Sequence, residues 1–301
     1  METYHVPVLL TESCDLMEIT DGGVYVDLTF GGGGHSREIL RRMGEKSKLY
    51  SFDRDSDAVS NLPDDSRFTF IQNNFRFVRG CLRAEGIESV DAILADLGVS
   101  SHHFDEAKRG FSYRFDAPLD MRMNQRSKFS AKELLNEYPQ EEIEKILRQY
   151  GELREAGKIA RTITKHRETQ QLTMINDLIA ILEPYISRGT DRNKFLAQVF
   201  QAIRIEVNGE LDALKMMLEQ SSLLLRPGGR LVIITYHSLE DRLVKNFMRS
   251  GNFDGIPQKD FFGRVDAPFE VYSNKPILPS QEEMEHNSRS RSAKLRCAIK
   301  L

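Results

Sequence analysis

The stretch Val24–Ser36 constrains this chain more than any other: a β-branched and aromatic run, Val24-Tyr25-Val26-Asp27, gives way to Leu28-Thr29-Phe30, four glycines (Gly31–Gly34) and a helix-like pattern from His35. It reads as strand, tight turn and helix. Glycines at such a turn accept positive φ and let a ligand lie against bare N–H groups, and the helix start adds partial positive charge. Twenty residues after Gly33, Asp53 ends a second apolar run, Leu49-Tyr50-Ser51-Phe52. An acid there can accept hydrogen bonds from ribose hydroxyls. Turn and acid together imply a cofactor that carries adenosine.

The dinucleotide fingerprint asks for a third glycine where Ser36 or Arg37 stands, so nicotinamide and an NAD-dependent oxidoreductase are disfavoured. The spacing Asp27-x-Thr29-x-Gly31-x-Gly33 instead resembles the acidic-x-Gly-x-Gly-x-Gly loop of class I S-adenosylmethionine methyltransferases, with Thr29 in place of the first glycine. Further on, strand and helix patterns alternate: strands near Lys48–Asp53, Phe68–Phe75 and Val90–Leu97, helices from Asp55 and near Phe77–Glu85. Such alternation predicts a parallel, doubly wound sheet with its ligand beyond the carboxyl ends of the strands. That rule gathers Asp53, Phe75 and Asp96 around the glycine turn, with Phe75 readable as core or as cofactor contact.

From about Phe104 the rhythm stops, and roughly a hundred residues carry helical periodicity, as expected of an inserted helical domain. The expected division is 104–205 for the insertion and 1–103 with 206–301 for the sheet domain. The insertion opens on Arg109–Asn124, a long irregular segment of the kind that is often functional. Within it, Leu153, Ala156, Ala160 and Ile163 form an apolar helical stripe, and Arg154, Lys158, Arg161 and Lys165 a basic ridge beside it. The ridge reads either as a solvated face or as a track for backbone phosphates. A second basic run, Arg289, Arg291, Lys294, Arg296 and Lys300, closes the chain. The sheet pattern resumes after Asn208-Gly209, with a helix through Leu225, the turn Arg226-Pro227-Gly228-Gly229, a strand Arg230–Tyr236, a helix capped by Ser238 in a Ser-x-x-Asp pattern, and a last strand Lys294–Ile299.

The net charge of −3 on 301 residues gives no bulk attraction to nucleic acid, so any RNA contact rests on such local patches. Cys14, Cys81 and Cys297 form no Cys-x-x-Cys pair, which argues against structural zinc and a disulfide framework and suits a reducing cytoplasm. No run reaches the ~18 apolar residues of a membrane span. Neither His102-His103 nor Glu283, Glu285 and His286 forms a complete metal-ligand set, and no metal is expected. The pair His237-Ser238 lacks the setting of a nucleophile and its base.

The blocks Asp27–Ser36, Asp53–Asp55, Asp96–Ser101, Arg109–Ser112, Pro118–Met123, Phe200–Ile205, Val207–Asn208 and His237–Arg242 closely resemble, in order, the bacterial ribosomal small-subunit RNA cytosine-N4 methyltransferase family, known as RsmH or MraW. The resemblance spans nearly the whole chain. It implies a class I fold, S-adenosylmethionine as donor, and methylation of the exocyclic amine of a cytidine in the decoding region (P site) of 16S ribosomal RNA, within the small subunit. It carries cofactor contacts onto Gly33, Gly34, His35, Asp53, Phe75, Asp96 and His103, and it implies that the insertion recognises substrate; the candidate substrate contacts are Asp120 and Arg122, the ridge residues Arg154, Lys158 and Arg161, and His237. Departures are Ala117 where glycine is common, Asn124 where an aspartate usually ends the motif, and His103 where other members have glutamine. Asp96, Asp120 or a backbone carbonyl can accept an N–H of the target amine. A non-catalytic RNA-binding assembly factor is the alternative from a different class.

Overall fold

The structure, a computed structural model, describes residues 7–98, 107–186, 191–259 and 267–301. By their backbone contacts they form two compact units, Met1–Gly98 with Leu211–Leu301, and Val99–Glu210. In chain order the elements are α1 (Leu10–Leu16), β1 (Val24–Asp27), α2 (Gly34–Arg42), β2 (Lys48–Asp53), β3 (Phe68–Gln72), α3 (Val78–Ala84), β4 (Val90–Asp96), α4 (Ala131–Glu137), α5 (Gln140–Gln149), α6 (Ala156–Arg167), α7 (Ile175–Leu182), α8 (Arg192–Asn208), α9 (Glu210–Leu224), β5 (Leu225–Thr235), α10 (Ser238–Ser250), β6 (Phe269–Val271), α11 (Gln281–His286) and β7 (Lys294–Lys300).

Among the described residues of the first unit, seven strands make one sheet in the order β3-β2-β1-β4-β5-β7-β6. The first five are parallel, while β7 runs antiparallel to β5 and β6 antiparallel to β7. This is the doubly wound sheet of the class I methyltransferases, with a reversed strand beside β5. Ile93, Leu94 and Ala95 of β4 are all fully buried, as a parallel strand covered on both faces demands. Strand order reverses between β1 and β4, and ligands of such sheets sit at that switch point.

Three local expectations are corrected. The helix expected from Asp55 is a 3-10 turn, Ser56–Asn61, capped by the Asp55 side chain on the Asp57 N–H. Pro227-Gly228-Gly229 does not precede β5 but loops out of it. The pairing jumps from Val90 with Leu225 to Ala92 with Arg230, and Gly228, at φ +80°, carries the bend. Finally, His237 rather than Ser238 caps α10. Its Nδ1 accepts the Glu240 N–H at 3.4 Å, and the Glu240 carboxylate takes the His237 N–H in return. Asp241, the acid of the expected Ser-x-x-Asp pattern, instead accepts Arg296 Nε at 2.6 Å and Lys294 Nζ at 3.3 Å from β7.

The second unit is helical, α4 to α8, around a core that includes Leu134, Leu147, Ile159, Leu178, Leu196 and Ile203. Pro118 and Met174 form an isolated antiparallel bridge. The stripe Leu153, Ala156, Ala160 and Ile163 is buried, and burying each Leu or Ile contributes about 1.5–3 kcal/mol before entropy is counted. Gly209, at φ +57°, stops α8 in the left-handed conformation common after helices. Among the described residues, no helix is long and apolar enough to cross a membrane.

Candidate active site

Strand β1 ends on Asp27, whose carboxylate is fully buried. It accepts the Thr29 N–H at 3.0 Å and the Ser36 hydroxyl at 2.6 Å, and Ser36 also lies 2.8 Å from the Ser51 hydroxyl. Burial pushes the Asp27 carboxyl up to about 6, against the lowering effect of those bonds. The turn that follows is shaped by Gly31 at φ +51° and Gly33 at φ +78°, the latter capping α2. A Cβ on Gly33 would lie 2.8 Å from the Phe30 ring, and one on Gly34 would strike Pro7 at 2.1 Å. Asp53, at the end of β2, accepts the Gly31 N–H at 2.8 Å and the Asp55 N–H at 2.9 Å, so the backbone fixes its orientation. A bare-backbone turn with a carboxylate anchored beside it fits an adenosine-bearing ligand, with the carboxylate as acceptor for ribose hydroxyls.

Asp96 ends β4 on the other side of β1. Its backbone N–H donates to Thr29 Oγ1 at 2.7 Å, and its Oδ1 accepts the Tyr236 hydroxyl at 2.7 Å. About 23 % of its side chain stays open, yet burial pushes its carboxyl up to about 6. His35, on the first turn of α2, is buried with Nε2 3.2 Å from the Val8 carbonyl and Nδ1 3.9 Å from Asp96 Oδ2. Burial holds the imidazole below its usual pKa, so it is neutral at pH 7. The carbonyl can only accept, which places the ring hydrogen on Nε2 and leaves Nδ1 an acceptor. Two acceptors, His35 Nδ1 and Asp96 Oδ2, therefore face one another, an arrangement suited to an incoming N–H donor.

Gly33, Gly34, His35, Asp53 and Asp96 thus lie on the turn, the first turn of α2 and the ends of β2 and β4. Phe75 opens a short 3-10 turn after β3 and is half-buried, with its ring against the sheet core. His103 lies outside the described residues. His237 is the cap of α10, with Nε2 3.1 Å from Glu240 Oε1 but outside hydrogen-bond geometry.

In the second unit, Asp120 and Arg122 form a two-pronged pair: Oδ1 accepts Arg122 Nε at 2.6 Å and Oδ2 accepts a terminal guanidinium N–H at 2.7 Å. Burial alone would raise the Asp120 carboxyl, but the Arg122 bonds and charge outweigh it and hold the group below the carboxylate range. Between them Met121 sits at φ +58°, a conformation that costs a residue with a Cβ about 1–3 kcal/mol. It is held by Asn208, which takes the Met123 N–H and donates to the Met121 carbonyl, both at 2.8 Å, and by the Arg109 carbonyl on the Met121 N–H at 3.0 Å. Pro118, Asp120, Arg122, Lys128, Lys132 and Glu133 line a cleft of about 240 Å³ in this unit.

The basic ridge is exposed at Arg154, Lys158, Arg161 and Lys165, but α6 begins at Ala156, so Arg154 precedes the helix and only the other three share its face. Lys158 pairs with Glu155 at 2.6 Å. The carboxyl-terminal basic run is largely satisfied internally: Lys294 and Arg296 bind Asp241, and Lys300 donates to the Pro268 carbonyl at 3.3 Å.

Residue-by-residue reading of the sequence gives Thr29, Ser36 and Tyr236 no working part in the site. Thr29 and Ser36 occupy glycine slots of generic nucleotide turns, and each places a hydroxyl where the site uses it. Tyr236 ends an apolar strand and reads as core; only its position two residues past Ile234, the partner of Asp96, could have singled it out.

The MraW methylase family model matches residues 2–301. "Ribosomal RNA small subunit methyltransferase H" of Parabacteroides distasonis is 54% identical over 299 residues, covering 99% of this chain and 98% of that one. The protein of the same name from Bacteroides thetaiotaomicron is 54% identical over 298 residues, with the same coverage. Among solved structures, TrmN from Thermus thermophilus superposes at a TM-score of 0.44 with 13% identity, over 97% of this chain and 48% of that one. The full-length match and the identity to these relatives show that the chain belongs to the MraW methylase family, and so to the class I methyltransferases that use S-adenosylmethionine.

Proposed function

We propose that this chain methylates ribosomal RNA of the small subunit, and that its target is the exocyclic N4 amine of a cytidine in the decoding region (P site) of 16S RNA. The names of the relatives support the substrate class. The observation that carries the chemistry is Asp96: a carboxylate at the switch point, partly open, with its pKa lifted to about 6 by burial and an acceptor nitrogen of His35 beside it.

S-adenosylmethionine, when bound, supplies an electrophilic methyl group. Gly31, Gly33 and Gly34 provide the surface for it, and Asp53 the ribose acceptor; Phe75 and His103 complete the proposed contacts. The cytosine amine is a weak nucleophile because its lone pair is delocalised into the ring, and base pairing hides it. The base therefore has to leave its stack and be held in line with the methyl group, so catalysis rests largely on positioning. Asp96 Oδ2 would accept one amine N–H, which favours a pyramidal nitrogen; as the N–C bond forms and the methyl's bond to the donor sulfur breaks, leaving a neutral thioether, that proton would move to Asp96. A carboxyl near pKa 6 is a better base than an ordinary aspartate and is still ionised at neutral pH. Asp120, held down by Arg122, is the weaker base of the two candidates. It and Arg122 instead belong to the substrate-binding set, with Arg154, Lys158, Arg161 and His237, and the helical unit is the part that recognises RNA.

The test is transfer from radiolabelled donor onto small subunits that lack the modification, beside protein-free 16S RNA. Labelled N4-methylcytidine in the subunit RNA is expected. Cofactor binding without any transfer to either substrate would instead favour the assembly-factor reading.

A further inference from the structure

We infer that Tyr236 is a positioning residue for methyl transfer, its hydroxyl holding the Asp96 carboxylate in the orientation and ionisation state the reaction uses. This rests on the assignment of Asp96 as the acceptor of the amine proton.

Asp96 pairs with Ile234 across β4 and β5, and Tyr236, two residues on, lies on the same face. Its backbone N–H donates to Glu240 Oε2 at 3.0 Å, which ties the residue to the start of α10. A Cβ on Gly98 would lie 3.0 Å from its ring, so the ring runs close along bare backbone just after β4. Held in this way, the hydroxyl meets Asp96 Oδ1 at 2.7 Å, leaving Oδ2 as the oxygen on the His35 side. Burial, together with the Asp96 charge and hydrogen bond, keeps the phenol protonated, so Tyr236 is a constant donor across the working pH range.

The groups that set Asp96's charge are His35 from α2, Tyr236 from the end of β5, Asp27 from β1 and Glu240 from α10. Burial raises the carboxyl, as do the two acids, while His35 and the Tyr236 hydrogen bond lower it. Burial disfavours the charged imidazole, and the Tyr236 hydroxyl is the uncharged donor that favours the ionised form of Asp96 through its bond to Oδ1. A core tyrosine would only fill space; this one moves a proton equilibrium.

The experiment is the pH profile of single-turnover methyl transfer onto unmodified small subunits. In the native enzyme the rate should fall on the acid side as Asp96 takes a proton. Tyr236→Phe keeps the ring and removes the donor, so the acid limb should move up by about half to one pH unit, with the rate recovering towards the native plateau above it. Replacing Tyr236 by 3,5-difluorotyrosine makes the phenol a stronger donor and should move the limb down. Opposite shifts support the proposal. A uniform loss of rate with the limb unmoved in both variants overturns it and leaves a packing role. Asp96→Asn separates the underlying assignment: if that variant still transfers methyl groups at the native rate, Asp96 is not the proton acceptor and the proposal falls with it. If Asp96→Asn is inactive while the Tyr236 variants leave the limb in place, the proposal about Tyr236 alone is wrong.

Discussion

Ser36 stands where a dinucleotide-binding turn would carry glycine, and its hydroxyl closes onto the buried Asp27 at 2.6 Å. A glycine there would strip that carboxylate of a donor in a fully buried site. Asp53 is the residue whose proposed role is plainest from sequence, because the spacing from turn to acid follows from the geometry of a strand-turn-helix-strand unit. Asp53→Ala should weaken S-adenosylmethionine binding by about 1.5–3 kcal/mol, the range for charge-assisted hydrogen bonds to a ribose. Calorimetric titration measures it, and unchanged affinity would remove Asp53 from the site. Asp27 is the opposite case. A lone acid at the end of a strand gives no sign that its carboxyl will sit near pKa 6, since that depends on what covers it. The folded protein keeps a proton on Asp27 that the unfolded chain releases between pH 3.8 and about 6, so this group's contribution to stability declines as pH rises through that window. Asp27→Asn should therefore gain on the native protein as pH rises from 4 to 7, by up to about 3 kcal/mol, before any loss from rearranged bonds to Ser36 and Thr29. Urea denaturation at the two pH values reads the difference; a constant offset would mean that Asp27 is ionised at no cost.

At the scale of elements, what periodicity encodes is legible in the sequence and what tertiary pairing decides is not. Strands β1 to β4 follow from short apolar runs between turn signals. Pro227-Gly228-Gly229 signals a turn correctly, but only the neighbouring β4 determines that the strand resumes in register beyond it. The cap of α10 departs from expectation for a similar reason: serine is the commoner cap, yet Glu240 folds back onto the His237 backbone and moves the cap one residue earlier. The basic run at the end of the chain looks uniform as text, but Arg296 is buried against Asp241 from α10. The ridge of α6 differs in being exposed along its length. Changing Arg154, Lys158 and Arg161 to Glu should lower affinity for 16S RNA and flatten its dependence on salt, with cofactor affinity unchanged. The logarithmic slope should fall by about 0.7 for each single-strand phosphate that the ridge no longer neutralises. Filter binding across a salt series reads this, and an unaltered slope would identify the ridge as a solvated face.

The whole molecule joins a methyltransferase sheet to a helical unit on a mildly acidic chain, so attraction to RNA has to be local, and its chemistry can be told from other RNA methylations by what the acceptor atom demands. Methylation at carbon 5 of a pyrimidine requires a thiolate to add to the ring first, because that carbon carries no free lone pair. An exocyclic amine needs only a positioned base. The three cysteines here are poor thiolates: burial raises Cys14 to about 12 and Cys297 to about 11, and raises the half-buried Cys81 above its usual value. A nucleophile working at neutral pH would need the opposite shift. A triple variant with Cys14→Ala, Cys81→Ser and Cys297→Ala, which avoids placing a hydroxyl at the two buried sites, should therefore fold and retain methyl transfer. Nucleoside digestion and mass spectrometry of its product should give N4-methylcytidine, as for the native protein. Carbon-5 methylcytidine from the native enzyme, or loss of transfer in a folded variant that still binds S-adenosylmethionine, would place a cysteine in the reaction and overturn the proposed role of Asp96.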